Sequence, residues 1–161
     1  MLARRLRLVT AWLLHADGLF KARFRRRSTP LLDRIMDHRI SGTDTAEHYT
    51  WGGVCDGWHL LKDATLSVIQ ERVPPGAGEA AHFHSRARQF FYVLSGTATM
   101  EFEHEAVTFA AGRGLHVPPG TPHRFVNRSD ADVVFLVISS PTTAGDRTNL
   151  PGTTPPHTEE K

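Results

Sequence analysis

His82 and His84 stand one residue apart in "HFHSRARQFFYVLSG" (82–96), and Gln89 follows them. On an extended strand, residues i and i+2 project from the same face. The two imidazoles can therefore reach one point while Phe83 turns away. A third imidazole, His123, follows "PPGTP", a turn whose prolines and glycine fix where the next strand starts. Three neutral imidazoles and one oxygen donor, converging inside a barrel, suit a divalent first-row metal such as Fe, Mn, Ni, Zn or Cu, at ~2.0–2.1 Å for each nitrogen. Gln89 is the unusual member. Its amide oxygen can coordinate, but it brings no negative charge. Four neutral donors leave the ion its full +2, which favours an anionic substrate such as an enolate or carboxylate and acidifies bound water. An amide in this place also offers no carboxylate to accept a proton. A general base must then come from the substrate, from metal hydroxide, or from a residue the sequence does not place.

The elements that position these residues read as strands. From Tyr49 onward the chain runs through "HLLK", "LSVIQERV", "QFFYVLSG", "TATMEFE", "AVTFAAG", "GLHVPPG", "HRFVN" and "DVVFLVISS", punctuated by Gly, Pro and Asn turns. No helix-length periodic segment interrupts them, so the expected class is all-β, a sandwich or barrel. Period two puts Gln89, Phe91 and Val93 on one face and Phe90, Tyr92 and Leu94 on the other. "VVFLVI" (133–138) is apolar on both faces and should be covered on both sides, by a second sheet or a partner subunit. Phe91, Met100, Phe102 and Phe125 read first as core. Phe91 and Phe125 each lie two positions from a candidate ligand, and with Met100 they form the candidate wall of a substrate pocket. "EFEHE" (101–105) reads as three acids around a solvated hairpin tip. "PPGAGE" and "PPGTP" are turns, not phosphate loops, since no helix follows to receive phosphate. The other histidines show no ligand spacing and read as surface or satisfied groups. The lone Cys55 reads as a small packed side chain.

These residues carry a family resemblance. Gly76, five residues, His82, one, His84, four, Gln89, six, Gly96 resembles the first motif of the cupin superfamily; Gly112, five residues, Pro118, one, Gly120, two, His123, three, Asn127 resembles the second. The resemblance implies a small double-sheet jelly-roll barrel. It also implies a metal held by the positions that map onto His82, His84, Gln89 and His123, with Gln89 where the family pattern usually has Glu. An aromatic arm carrying Trp51, Trp58 and His59 precedes the motifs, and the resemblance implies that such an arm pairs with a partner in a homodimer. The expected activity is dioxygenase-like oxidation of a small organic molecule. A metal-dependent isomerase or lyase and a ligand-binding or sensing module without turnover are the alternatives.

Composition bounds these readings. The 161 residues suggest one main domain, 40% hydrophobic and 22% charged, with no apolar run long enough to span a bilayer. The net charge of +2 hides an asymmetry. Residues 1–35 hold nine Lys or Arg against two acids, a balance of +7, and the rest holds ten against fifteen, −5. The pI near 9.0 thus belongs to the N-terminal segment, and the mildly acidic remainder argues against nucleic acid as a partner. One cysteine excludes an intrachain disulfide and permits a reducing compartment, with the cytoplasm as the expected location. Residues 1–27 read as a basic amphipathic helix. Lying on an anionic membrane surface, serving as a targeting segment, and arising as a start-site artefact ahead of Met36 are the competing accounts. The expected organisation is a basic extension over 1–35, an arm over 36–65, the barrel over 66–140 and a tail over 141–161 with a disordered end.

Overall fold

The computed structural model describes residues 39–156. Within it every regular element is a strand: β1 (Glu47–Trp51), β2 (Cys55–Lys62), β3 (Ser67–Val73), β4 (His82–His84), β5 (Arg88–Ser95), β6 (Thr97–Phe102), β7 (Ala106–Ala110), β8 (Gly114–Val117), β9 (His123–Val126), β10 (Val133–Ser140) and β11 (Arg147–Asn149). They form a six-stranded sheet, β1-β2-β3-β10-β5-β8, and a five-stranded sheet, β11-β4-β9-β6-β7. From β3 to β6 and again from β7 to β11 consecutive strands alternate between the sheets, as in the double-stranded jelly roll. Among the described residues no helix is long and apolar enough to cross a membrane.

The alternating side chains explain why the sheets close on each other. In β5, Gln89, Phe91 and Val93 are buried and their neighbours are exposed; in β10 Val133, Phe135, Val137 and Ser139 are buried. Rings from both sheets meet in the middle. Phe125 of β9 stacks on Phe135 of β10 with centroids 4.0 Å apart, and Phe91 lies 6.1 Å from each. Met100, Val93 and Ala98 complete this fully buried cluster, and each such apolar side chain contributes about 1.5–3 kcal/mol by leaving water.

Two motif residues are explained by the scaffold alone. Gly96, between β5 and β6, has φ 83°, and a Cβ there would stand 2.5 Å from the Asp132 carbonyl oxygen, so no other residue fits without moving the chain. Asn127 is fully buried. Its amide donates to the carbonyls of Val73 and Ala131, and its own carbonyl accepts from Gly76 N, tying the two motif segments together.

One sequence expectation changes. Glu101 is not at a solvated tip: it lies on β6, half-buried between Arg124 and Arg128, which both pair with its carboxylate; only Glu103 and Glu105 occupy the exposed turn. The outer face of "VVFLVI" has no second sheet over it among the described residues. Val134, Leu136 and Ile138 are half-buried there, beside exposed Phe90, Tyr92 and Leu94 on β5. The aromatic arm, β1 and β2, forms one edge of the six-stranded sheet, with β2 paired to β3. The basic segment over 1–35 and the last residues of the tail lie outside the described residues.

Candidate metal centre

His82 and His84 lie on β4, His123 on the neighbouring β9, where it is the cross-strand partner of His82. Gln89 comes from β5 in the opposite sheet. All four are buried. One ring nitrogen from each histidine can be chosen so that the three lie within 4.8 Å of one another, and the ring centroids are 4.5–6.0 Å apart.

The other ring nitrogen of each histidine is committed. Nδ1 donates to a backbone carbonyl in every case: His82 to Ala80 at 3.0 Å, His84 to Asp146 at 3.1 Å, His123 to Thr121 at 2.8 Å. Burial pushes all three imidazoles below their ordinary pKa, His82 to about 4, so each is neutral at pH 7 with a single N–H. That proton sits on Nδ1, and each Nε2 presents a bare lone pair to the shared space. Fixing the tautomer through the far nitrogen is what metal-ligating histidines need.

Gln89 sharpens the fit. Its Oε1 lies 3.0 Å from His123 Nε2. A neutral His123 that has used its proton on Thr121 faces this oxygen with a lone pair, and two acceptors do not attract. Two arrangements resolve the conflict. The amide can turn so that its NH2 donates to Nε2, or both lone pairs can point at one cation. Two ligands at right angles around an ion at ~2.1 Å stand ~3.0 Å apart, so the separation suits the second arrangement. The donor set therefore fits a divalent metal.

The surrounding loops hold these side chains in place. Gly120 N, in the turn before His123, donates to the His84 carbonyl at 2.7 Å. Asp146, buried, accepts from the backbone N–H of Ala87 at 2.8 Å and Arg86 at 3.0 Å, pinning the turn between β4 and β5 while its own carbonyl takes His84 Nδ1. The bonds from Ala87 and Arg86 hold its carboxyl below the usual range. Arg147 adds a bond to the Ala80 carbonyl that also serves His82, and pairs with Glu79 at 3.2 Å.

A second polar group lies on the inner face of β1, β2 and β3. Tyr49 donates to Glu71 Oε1 at 2.8 Å and stacks on His59 with centroids 5.0 Å apart. Gly57 makes this possible, since a Cβ there would stand 2.3 Å from the tyrosine ring. Burial, then the Glu79 carboxylate, push Glu71 up to about 8.

The structure thus brings together the four residues read as ligands. Phe91 sits nearest, its ring 6.1 Å from that of His123, and with Phe125 and Met100 it belongs to the buried cluster. A cavity of about 470 Å³ beside His123 is lined instead by Phe102, Pro122, Arg124, Leu150 and Thr153 among others. Cys55 is buried with its thiol pushed up to about 12 by that burial, in keeping with a packed side chain. His48 pairs with Asp56, whereas His59 departs from the surface-or-satisfied reading: its Nδ1 is buried without a partner among the described residues. The sequence reading missed Tyr49, Glu71, Glu79, Asp146 and Arg147. Only Glu71 left a signal, as a carboxylate on the face shared by Ile69 and Val73 in "SVIQERV".

Comparison with known proteins agrees with this architecture. The family model described as "Cupin domain" matches residues 69–139. An uncharacterized protein of Methanocaldococcus jannaschii is 25% identical over 92 residues, 57% of this chain and 74% of its own length. The 1-hydroxy-2-naphthoate 1,2-dioxygenase of Nocardioides sp. strain KP7 is 34% identical over 73 residues, which is 45% of this chain but only 19% of the dioxygenase. Among solved structures, KdgF from Halomonas sp. superposes with a TM-score of 0.61 at 20% identity, covering 66% of this chain and 98% of its own.

Proposed function

The chain carries a cupin domain, and from that premise we propose that it holds a divalent transition-metal ion on His82, His84 and His123, with Gln89 as fourth donor, and turns over a small organic molecule by dioxygenase-like oxidation. The observation that carries the metal reading is the shared tautomer: three buried imidazoles, each with Nδ1 spent on a backbone carbonyl and Nε2 left bare. A bound divalent ion would supply Lewis-acid polarisation of a chelating oxygen and a place for dioxygen. The protein's own part is to orient the donors, to exclude water with the Phe91, Phe125 and Phe135 stack, and to offer the ion ligands that carry no charge of their own. Such a site selects an anionic chelating oxygen, enolate or carboxylate. The likeness to the Nocardioides dioxygenase supports the oxidative reading over isomerase or lyase chemistry.

A second reading rests on Gln89. Without a carboxylate among the ligands the domain can bind or sense a ligand without turnover. A homodimer is part of the proposal, and the apolar outer face of β5 and β10 supports it, since Phe90, Tyr92 and Leu94 are 36–43% exposed. The deciding measurement is metal content by mass spectrometry on protein purified without a His tag, followed by oxygen uptake with diketones, catechols and flavonols. Bound metal that disappears in His82→Ala, with uptake on one of the panel, is the expected result. Bound metal without uptake favours the sensing reading, and no metal above background in the wild type removes both metal-dependent ones.

A further inference from the structure

Gln89 is not the only polar group that the six-stranded sheet turns inward at the level of the histidines. It lies directly across from Ser139 of β10, and Ser139 lies directly across from Ser67 of β3. Direct cross-strand neighbours share a face, with Cβ atoms ~4.5–5.5 Å apart. That face is the interior, because Ser139 is buried in alternation with Val137 and Phe135 along β10, and both of those belong to the core. Ser67, Ser139 and Gln89 therefore form one row on the inner wall, 4%, 2% and 7% exposed. On its other side Gln89 meets Val117, so the polar row runs in one direction only, from the histidine centre across β10 to β3. Among the described residues neither serine hydroxyl has a hydrogen-bond partner, and the one contact of the Gln89 amide is that of Oε1 with His123 Nε2 at 3.0 Å. These groups are not sealed in. Polar atoms both shut off and unpaired are confined to Trp51 Nε1 and His59 Nδ1 among the described residues, so the two hydroxyls and the Gln89 NH2 border open space. Side-chain size makes that space: the inward residue shrinks from Phe135 through Val137 to Ser139 along β10, and from Ile69 to Ser67 along β3. Buried polar groups are almost always hydrogen-bonded, and three unused ones in a single row mark a surface that faces a ligand.

We propose that Ser139 and Ser67, with the NH2 of Gln89, form the specificity-determining wall of the histidine centre, a row of uncharged donors that binds one oxygen of a small acid while another oxygen of the same molecule reaches the ion. The inference rests on the proposed metal site and names the substrate class that this wall selects: a small 2-oxo or 2-hydroxy carboxylate. Each hydroxyl rotates freely, so it can donate to an ionised oxygen or accept from a substrate hydroxyl. Hydrogen bonds to ionised oxygens are the stronger kind. Neighbouring strands are ~4.8 Å apart, so a compact acid held at the ion meets Ser139 first and only a longer one reaches Ser67. The same wall accounts for an amide at position 89. An ionised carboxylate there has no donor to offer and repels an anion, whereas the amide turns Oε1 to the cation and NH2 to the ligand.

Co(II) uptake is measured first, then the binding of pyruvate to the Co(II)-loaded protein, followed by calorimetry and by the visible spectrum of the ion. Ser139→Ala should take up Co(II) as the wild type does and lose about tenfold in pyruvate affinity. Ser67→Ala, one strand farther from the ion, should lose less. Gln89→Glu should hold Co(II) more tightly and pyruvate more weakly, a pair of opposite signs that a merely structural role would not produce. In the metal-free protein Ser139→Ala should not lower the melting temperature, because the hydroxyl it removes has no partner to lose. The proposal is overturned if the loaded wild type binds no pyruvate, if Ser139→Ala binds it as tightly as the wild type, or if the metal-free variant melts lower. Each of those results leaves the metal reading standing, whereas a wild type that takes up no Co(II) overturns both.

Discussion

The interior of this barrel has two halves, and the same strands furnish both. On β9, His123 and Phe125 are two residues apart; on β5, Gln89 and Phe91 are. Stepping one pleat along either strand takes the chain from a polar, directional cluster to a stack of phenylalanines. The aromatic half coheres by burial, in which each ring touches several others and no single orientation is indispensable. In the polar half the contacts are directional: three Nδ1–H groups on three carbonyls, Asp146 on two amide N–H groups, Tyr49 on Glu71. One half should therefore govern whether the chain folds, and the other what it binds.

The sharpest test of that division is to damage each half separately. Phe125→Ala removes the ring that stacks on Phe135 at 4.0 Å, and should cost about 3–5 kcal/mol, read as a lower denaturation midpoint, with metal stoichiometry unchanged in the molecules that remain folded. His82→Ala should do the reverse. Its Nδ1 partner, the Ala80 carbonyl, keeps a bond from Arg147, so stability should fall by only about 1–2 kcal/mol. Metal affinity should fall by more than the about 10–100-fold that loss of an outer-sphere partner costs. If His82→Ala unfolds the protein as severely as Phe125→Ala, the division fails and the histidines are structural.

The two halves also differ in how legible they were in the sequence. Alternation along β5 and β10 exposed the aromatic half, because burial on one face imposes a period of two. The histidines and Gln89 were equally legible, since a ligand pair on one strand needs the same spacing. What escaped was everything recruited from a distance. Asp146 and Arg147 come from "TTAGDRTNL", which reads as tail, and nothing local says that β11 will pair with β4 or that a loop carbonyl will orient His84. Glu101 was misplaced for the same reason: its arginine partners, at 124 and 128, belong to the strand and turn that the fold brings alongside. The sequence displays residues that act through their own spacing and hides those that act through the closure of the sheets.

Asp146 tests whether a residue recruited in this way matters to the polar half. Asp146→Ala keeps the carbonyl that accepts from His84 but frees the N–H groups of Arg86 and Ala87, so the turn joining β4 to β5 loosens between two ligand-bearing strands. Metal affinity should fall about tenfold, measured by competition with a chelator, with the melting temperature changing less than in Phe125→Ala. Unchanged affinity would mean that the turn is held by the sheets alone.

Gln89→Glu is the subtlest case, because its effect should change sign with the metal. In the loaded protein an anionic oxygen replaces a neutral one, and affinity should tighten by about tenfold, or about 1.4 kcal/mol. In the metal-free protein the neutral amide can turn its NH2 toward His123 Nε2, whereas an ionised carboxylate has no proton to give. The buried carboxylate and the lone pair then face each other at the 3.0 Å that now separates Gln89 from His123, and relief requires a proton from water. Metal-free Gln89→Glu should accordingly melt below the wild type at pH 8 and recover as the pH falls, while the loaded variant melts above it. A variant that is less stable with metal as well as without would show that Gln89 stands beside the ion rather than on it, and would return position 89 to the role of a hydrogen-bond partner for His123.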